Sequence, residues 1–304
     1  MVVAVLVVAS AAVAMIYLNK NDSSDGTTGA ISVLDDRGIS VNLTAAPERI
    51  ISLGSAFTEI IFDLEAKDKV VAVDKSSMWL VENTTGTENI TNLQGVSTLS
   101  VESILALDPD LVVIWNFGMY STFITNMESS GIPVAAFYPK NVTTILGTIE
   151  RLGELIGEKS KAQEMVAEMN ARIEAVLEKT ANISESERPK VYLELASYGG
   201  TTVGNGTLSN DIIEMAGGVN IFNNGTKTWV ASTESIVEKN PDIIIIEDAS
   251  TKSNDDLKAN LGSTVNAVTG DKIYRIDGTT LTTSPSVVEA LENMAKWFHP
   301  TLFQ

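Results

Sequence analysis

The sequence predicts an α/β protein built as two halves joined by a long helix. Three observations carry that reading. Short apolar, β-branched runs alternate with helix-length segments, as parallel strands covered by helices require. A helical stretch from about Val142 to Thr180 divides those runs into two sets. A stretch of the first half also recurs in the second: Glu102 to Ile114 reads ESILALDPDLVVI, and Glu234 to Ile246 reads ESIVEKNPDIIII, with Pro seven residues after Glu in both.

The segments follow in order. Residues 1–18 hold an uncharged apolar run, Val2 to Leu18. It is longer than most signal-peptide cores and slightly short for a helix crossing about 30 Å of hydrocarbon. Ala12 and Ala14 are small enough to permit cleavage. A signal peptide or membrane anchor is therefore expected, with delivery outside the cytoplasmic membrane. Residues 19–30, NKNDSSDGTTGA, lack apolar periodicity and read as a flexible tether.

The first half, 31–141, offers strands at Arg49–Leu53, Val70–Val73, Leu111–Trp115 and Pro133–Tyr138. The linking helix, 142–181, carries Ala162, Met165, Val166, Met169, Ile173, Val176 and Leu177 at helical spacing, which reads as core packing. The second half, 182–304, offers strands at Val191–Leu195, Ile243–Glu247 and Lys272–Ile276, then a closing helix. The unbroken apolar runs LVVI and IIII imply strands buried on both faces. In each repeat, Ser100 or Ser232 is expected to cap a short helix that stops before Pro109 or Pro241.

Composition narrows the function. Of 304 residues, 44% are hydrophobic and 20% charged, too apolar for a disordered chain. A formal net charge of −18 argues against nucleic acid, whose phosphates need clustered Lys and Arg. The chain has no Cys, which removes disulfides, thiolate metal sites and Cys nucleophiles. Its one His, His299, leaves little from which to build a Ser-His-Asp triad or a His-rich zinc site. A carboxylate pair such as Glu247 and Asp248 would point to opposite strand faces. The composition favours a binder over an enzyme, and no intrinsic cofactor or bound metal is expected. Asn-x-Ser/Thr sequons at Asn21, Asn42, Asn83, Asn89, Asn141, Asn182, Asn205 and Asn224 suit a glycosylated surface protein. An acidic cell-surface structural or adhesion protein is the alternative reading.

A family resemblance rests on several segments in order: Ile31–Leu64, LSVESILALDPDLVVIW, IIEMAGGVNIF, WVASTESIVEKNPDIII and KWFHPTLF. Together they resemble class III periplasmic-type substrate-binding proteins of ABC importers, the binders of ferric siderophores, haem and cobalamin. The resemblance implies two Rossmann-like lobes joined by a single long helix, with a ligand cleft between the lobes. It also implies a monomer that hands an iron chelate or tetrapyrrole to an ABC importer permease dimer.

Ligands of open α/β sheets lie beyond the carboxyl ends of the strands. That rule selects Ser55, Trp79, Trp115, Phe117, Tyr120, Tyr138, Tyr198 and Trp229 as cleft candidates. Aromatic faces suit a large flat ligand. The same loops hold no Arg and only Lys75, Lys140, Lys227 and Lys252, few cations for a strongly anionic siderophore. VVAVDKSSMWL resembles haem-binding members, which commonly place a Tyr ligand where Trp79 stands. An indole cannot ligate iron; Tyr120, Tyr138 or Tyr198 could substitute. The Gly-rich Ser197–Asn210 reads as a turn before a helix N-terminus, not a phosphate loop. In the family, one Glu per lobe pairs with permease Arg residues; the matching positions are Glu102 and Glu234.

Overall fold

A computed structural model of the chain describes residues 30–196, 200–225 and 227–304. The N-terminal apolar run, nearly all of the tether and Tyr198 lie outside the described residues.

The described chain opens with an antiparallel hairpin of β1 (Ile31–Leu34) and β2 (Ser40–Leu43). The first lobe continues through β3 (Ile50–Leu53), α1 (Ser55–Asp63), β4 (Val70–Val73), α2 (Met78–Glu82), β5 (Thr91–Asn92), α3 (Val101–Leu105), β6 (Leu111–Trp115), α4 (Ser121–Ser129) and β7 (Val134–Phe137). Its sheet is parallel throughout, in the order β5-β4-β3-β6-β7. Helices α5 (Val142–Ile156) and α6 (Lys159–Thr180) follow.

The second lobe contains β8 (Lys190–Leu195), β9 (Thr201–Val203), α7 (Leu208–Met215), β10 (Val219–Asn220), β11 (Thr228–Trp229), α8 (Thr233–Lys239), β12 (Ile243–Glu247), α9 (Asn254–Leu261), α10 (Asn266–Thr269), β13 (Ile273–Ile276) and α11 (Val287–Phe298). Its strand order is β11-β9-β8-β12-β13, and β10 also pairs with β8. Strands β8, β12, β13 and β10 run parallel, while β9 and β11 are antiparallel to their neighbours. All seven strands read from apolar runs have their ends within one residue of the reading. Strands β1, β2, β5, β9, β10 and β11 are additional.

Alternation along the strands explains the layers. Ile243 and Ile245 of β12 face one core, while Ile244 and Ile246 face another on the opposite side. In the first sheet, Ile50 and Val113 share the core of Ile243, whereas Ile51 and Val112 face a separate one. The shared core runs through α5, α6 and α11 and so fuses the two lobes. Each fully buried Ile contributes about 1.5–3 kcal/mol, so two-faced burial of IIII strongly favours this layering.

The helical stretch expected as one linking helix over 142–181 is two helices. Gly157 adopts φ 84° and ends α5, and α6 starts at Lys159. Asn141 caps α5 through a reciprocal bond with Thr144. The single long helix that joins the lobes is the 22-residue α6. Its stripe buries Ala162, Val166, Met169, Ile173 and Val176; Met165 is partly buried, and Leu177 is 39% exposed.

The repeat recurs in its helix cap, its pre-proline turn and its post-proline carboxylate. Ser100 Oγ accepts from Ser103 N–H at 3.1 Å, and Ser232 Oγ accepts from Ser235 N–H at 3.2 Å. The residue before each Pro, Asp108 or Asn240, has φ 46°, a left-handed conformation that Asp and Asn tolerate. The Asp after each Pro then grips the neighbouring strand's entry. Asp110 Oδ2 accepts from Glu48 N–H and Arg49 N–H at 2.9 Å, and Asp242 Oδ2 accepts from Lys190 N–H at 2.9 Å.

Candidate functional site

Both sheets grow outward from an early strand: β3 lies between β4 and β6, and β8 is paired with β12 on one side. The strand order reverses at those pairs, and the crevice of an open α/β sheet forms at such a point beyond the carboxyl ends. In the first lobe these ends lead into Gly54 and Asn116. In the second they lead into Ala196 and Asp248. One direct contact spans the two lobes: Ser286, on the loop after β13, donates its N–H to Glu59 Oε1 of α1 at 3.1 Å.

The first lobe brings four of the candidates together. Trp115, at the end of β6, stacks on Phe117 with centroids 5.3 Å apart and planes within 4°. Phe117 then meets Tyr120 at 5.9 Å and Tyr138 edge-on at 5.3 Å. Phe57 backs the indole at 4.5 Å. This aromatic shelf joins the ends of β6 and β7 to α1. Trp115, Phe117 and Tyr120 are half-buried, and Tyr138 is 41% exposed. Gly54 makes the shelf possible: its φ of 150° disfavours a side chain, and a Cβ there would overlap the Trp115 indole nitrogen. Ser55 begins α1 beside it, half-buried.

Beneath the shelf runs a chain of buried hydroxyls. Ser52 Oγ and Thr58 Oγ1 lie 2.8 Å apart, Thr58 Oγ1 donates to Ser77 Oγ at 2.9 Å, and Ser77 Oγ donates to Asp74 Oδ1 at 2.7 Å. The chain ties β3, α1 and the turn before α2, and so positions Trp79. The Trp79 ring is 38% exposed. Burial, with the nearby Asp74 charge, pushes the Tyr120 phenol above its ordinary pKa.

The second lobe presents a different device. Glu194 of β8 is almost fully buried; it accepts from the Tyr192 hydroxyl at 2.9 Å and from Lys252 Nζ at 2.7 and 2.9 Å. This clamps the loop after β12 onto β8. Burial and the adjacent carboxylate raise the Tyr192 pKa. Sequence reasoning missed Glu194, although a carboxylate inside the apolar run VYLEL signals a buried partner. Trp229 lies in this lobe, apart from the shelf, half-buried edge-on to Phe222 at 5.6 Å. A Cβ on Gly225 would overlap its ring. Glu102 and Glu234 are both exposed on the first turns of their helices. Hydrogen bonds from its own backbone and Ser100 lower the Glu102 pKa. His299 lies against Gly217 O at 3.2 Å, behind the second sheet.

The architecture is thus two α/β lobes joined by one bridging helix. Residues 50–280 match the family model described as periplasmic binding protein. The chain belongs to that family. It is a substrate-binding component of an ABC importer, a binder and not an enzyme, and its family works outside the cytoplasm. An ABC transporter substrate-binding lipoprotein of Bacillus subtilis is 28% identical over 282 residues, covering 90% of this chain and 87% of the relative. A cobalamin-binding protein of Halobacterium salinarum is 29% identical over 279 residues, covering 88% and 73%. Among solved structures, an apo periplasmic haem-binding protein from Roseiflexus sp. RS-1 superposes with a TM-score of 0.71 at 25% identity, covering 84% of this chain and 99% of that one.

Proposed function

We propose that this substrate-binding protein captures a corrinoid and delivers it to a permease dimer. The observation that carries the reading is the shelf of Trp115, Phe117, Tyr120 and Tyr138, a broad apolar face suited to a large flat macrocycle. Charge points the same way. Of the four loop lysines, Lys252 is bound to Glu194, and Lys140 sits over the Tyr138 ring at 4.7 Å. That leaves little free positive charge for an anionic ferric chelate. Haem would need a protein ligand, and an elevated pKa disfavours the phenolate form of Tyr120. A corrinoid brings its own nitrogen ligands to cobalt and asks only for a shaped apolar surface. The cobalamin-binding relative from Halobacterium salinarum supports the same choice.

The exposed and geometrically equivalent Glu102 and Glu234 are the proposed permease contacts, one for each subunit. The N-terminal apolar run is the proposed anchor. The deciding experiment is titration of a chain lacking residues 1–30 with cyanocobalamin, haemin and a ferric hydroxamate, followed by tryptophan fluorescence. Cyanocobalamin should quench it most strongly and with highest affinity. Phe117→Ala should weaken that binding by about 1–3 kcal/mol by removing the shelf's centre. Preference for haemin or the ferric chelate would reject the corrinoid reading.

A further inference from the structure

Five of the eleven α-helices among the described residues have a side-chain cap, from Ser100, Asn141, Thr207, Ser232 and Ser253, each accepting a backbone N–H of the helix it precedes. Helix α11 is one of the six that do not. Its N-cap residue, Ser286, makes no side-chain cap bond. Its N–H is instead satisfied from the other lobe, by Glu59 Oε1 at 3.1 Å. The acceptor is a carboxylate, the group a helix N-terminus favours. It is only 7% exposed, so its contact is shielded from water and from salt.

The loop that presents Ser286 is itself braced. Thr282 Oγ1, Ser284 Oγ and Ser286 Oγ form a chain with 2.9 Å steps, and Ser284 is fully buried. Asp277 Oδ1 accepts from Thr279 N–H at 2.9 Å and fixes the start of the loop. At the other side, Glu59 lies two residues after Phe57, which backs Trp115 of the shelf. Helix α11 has a second attachment: Arg172 of α6 donates to both carboxylate oxygens of Glu292 at 2.9 and 3.0 Å. Helix α11 is thus fixed to the bridging helix along its length and to the opposite lobe at its tip.

We propose that Glu59 is a positioning residue that caps α11 across the cleft and thereby sets the distance between the two lobes. The role in ligand affinity rests on the reading of the cleft as the ligand site; the role in lobe spacing does not. Burial raises the Glu59 pKa while the bonds from Ser286 and Ser284 oppose that rise, as expected for a carboxylate retained for its partners. A buried carboxylate serving only the first lobe would have no reason to face the α11 tip.

The chain has no Cys, so paired spin labels are introduced without background. Met119→Cys and Val230→Cys place them on exposed loops, one on each lobe; the parent residues are 73% and 69% exposed. The inter-lobe distance distribution is then measured without any ligand. Glu59→Leu keeps the volume and removes the acceptor. Glu59→Gln keeps an acceptor oxygen. Glu59→Leu should broaden the distribution about twofold, and Glu59→Gln should restore the native width. Cyanocobalamin affinity should fall about tenfold in Glu59→Leu and stay within about twofold in Glu59→Gln. A native-width distribution in Glu59→Leu overturns the proposal, as does a broadened one in Glu59→Gln. Absence of cyanocobalamin binding to the unsubstituted protein rejects the corrinoid reading instead, while the distance measurement still decides the role of Glu59.

Discussion

His299 shows what one residue reports when it has no rival. Burial lowers its pKa, the Gly217 carbonyl opposes that, and Arg188 adds to the lowering. The fold therefore favours neutral imidazole. The group contributes stability above the ordinary imidazole value of about 6.5, and that contribution is lost as pH falls through the lowered folded value. Because the chain has one His, its imidazole proton signals are unambiguous. Their titration midpoint should lie below that of the urea-unfolded chain, and His299→Gln should flatten the acid limb of the melting curve. A midpoint at or above the unfolded one would contradict the burial. Sequence carried less at this scale than at any other. The four shelf rings were legible because aromatic side chains clustered after strand-like runs. Glu59 was not, since the partner that justifies its burial lies 227 residues away; Glu194 was passed over although one of its partners, Tyr192, stands two residues before it.

Elements were more legible, because each is written in local period and cap chemistry. The strands read from LVVIW and IIIIE match to the residue. The missed strands are short or at edges, such as β5 and β11 with two residues each, where pairing with a neighbour rather than their own pattern makes them strands. The break between α5 and α6 was missed although Gly157 is the residue type expected at a helix end. The apolar period continues on both sides of it and conceals the stop. Close approach enforces that break: a Cβ at Gly157 would stand 2.8 Å from Ala46 Cβ, and one at Gly153 would overlap Ala162 Cβ. Gly157→Ala combines a left-handed φ with that crowding and should cost about 1–3 kcal/mol. Gly153→Ala should cost a similar amount by prising α5 from α6 while leaving its own backbone unstrained. Denaturant midpoints measured against the parent chain check both values. An unchanged midpoint in Gly153→Ala would mean that α5 and α6 are not held by this contact, and one in Gly157→Ala that the turn beside Ala46 has room to give.

At the scale of the molecule, the repeat is the clearest signal the sequence holds, and its use is still to be explained. Two lobes of like build present Ser100 and Ser232 in matched caps, with Glu102 and Glu234 at matched, exposed positions. The bland account is local: an acidic residue in a first turn favours the helix dipole by about 0.3–1 kcal/mol. It predicts a small stability loss on removal and nothing more. Docking on a permease of two like subunits needs two like contacts on one rim. Each short helix is followed directly by a central strand of its sheet, β6 or β12. Exposed charges at a rim tune encounter and orientation more than the affinity of a site they do not line. The double variant Glu102→Ala with Glu234→Ala should therefore bind cyanocobalamin with near-native affinity and melt near the native temperature. In vesicles carrying the cognate permease it should fail to stimulate uptake, and each single variant should lose only part. Native uptake by the double variant would leave the helix-dipole account standing, and lost cyanocobalamin binding would place these carboxylates in the cleft instead of on its rim.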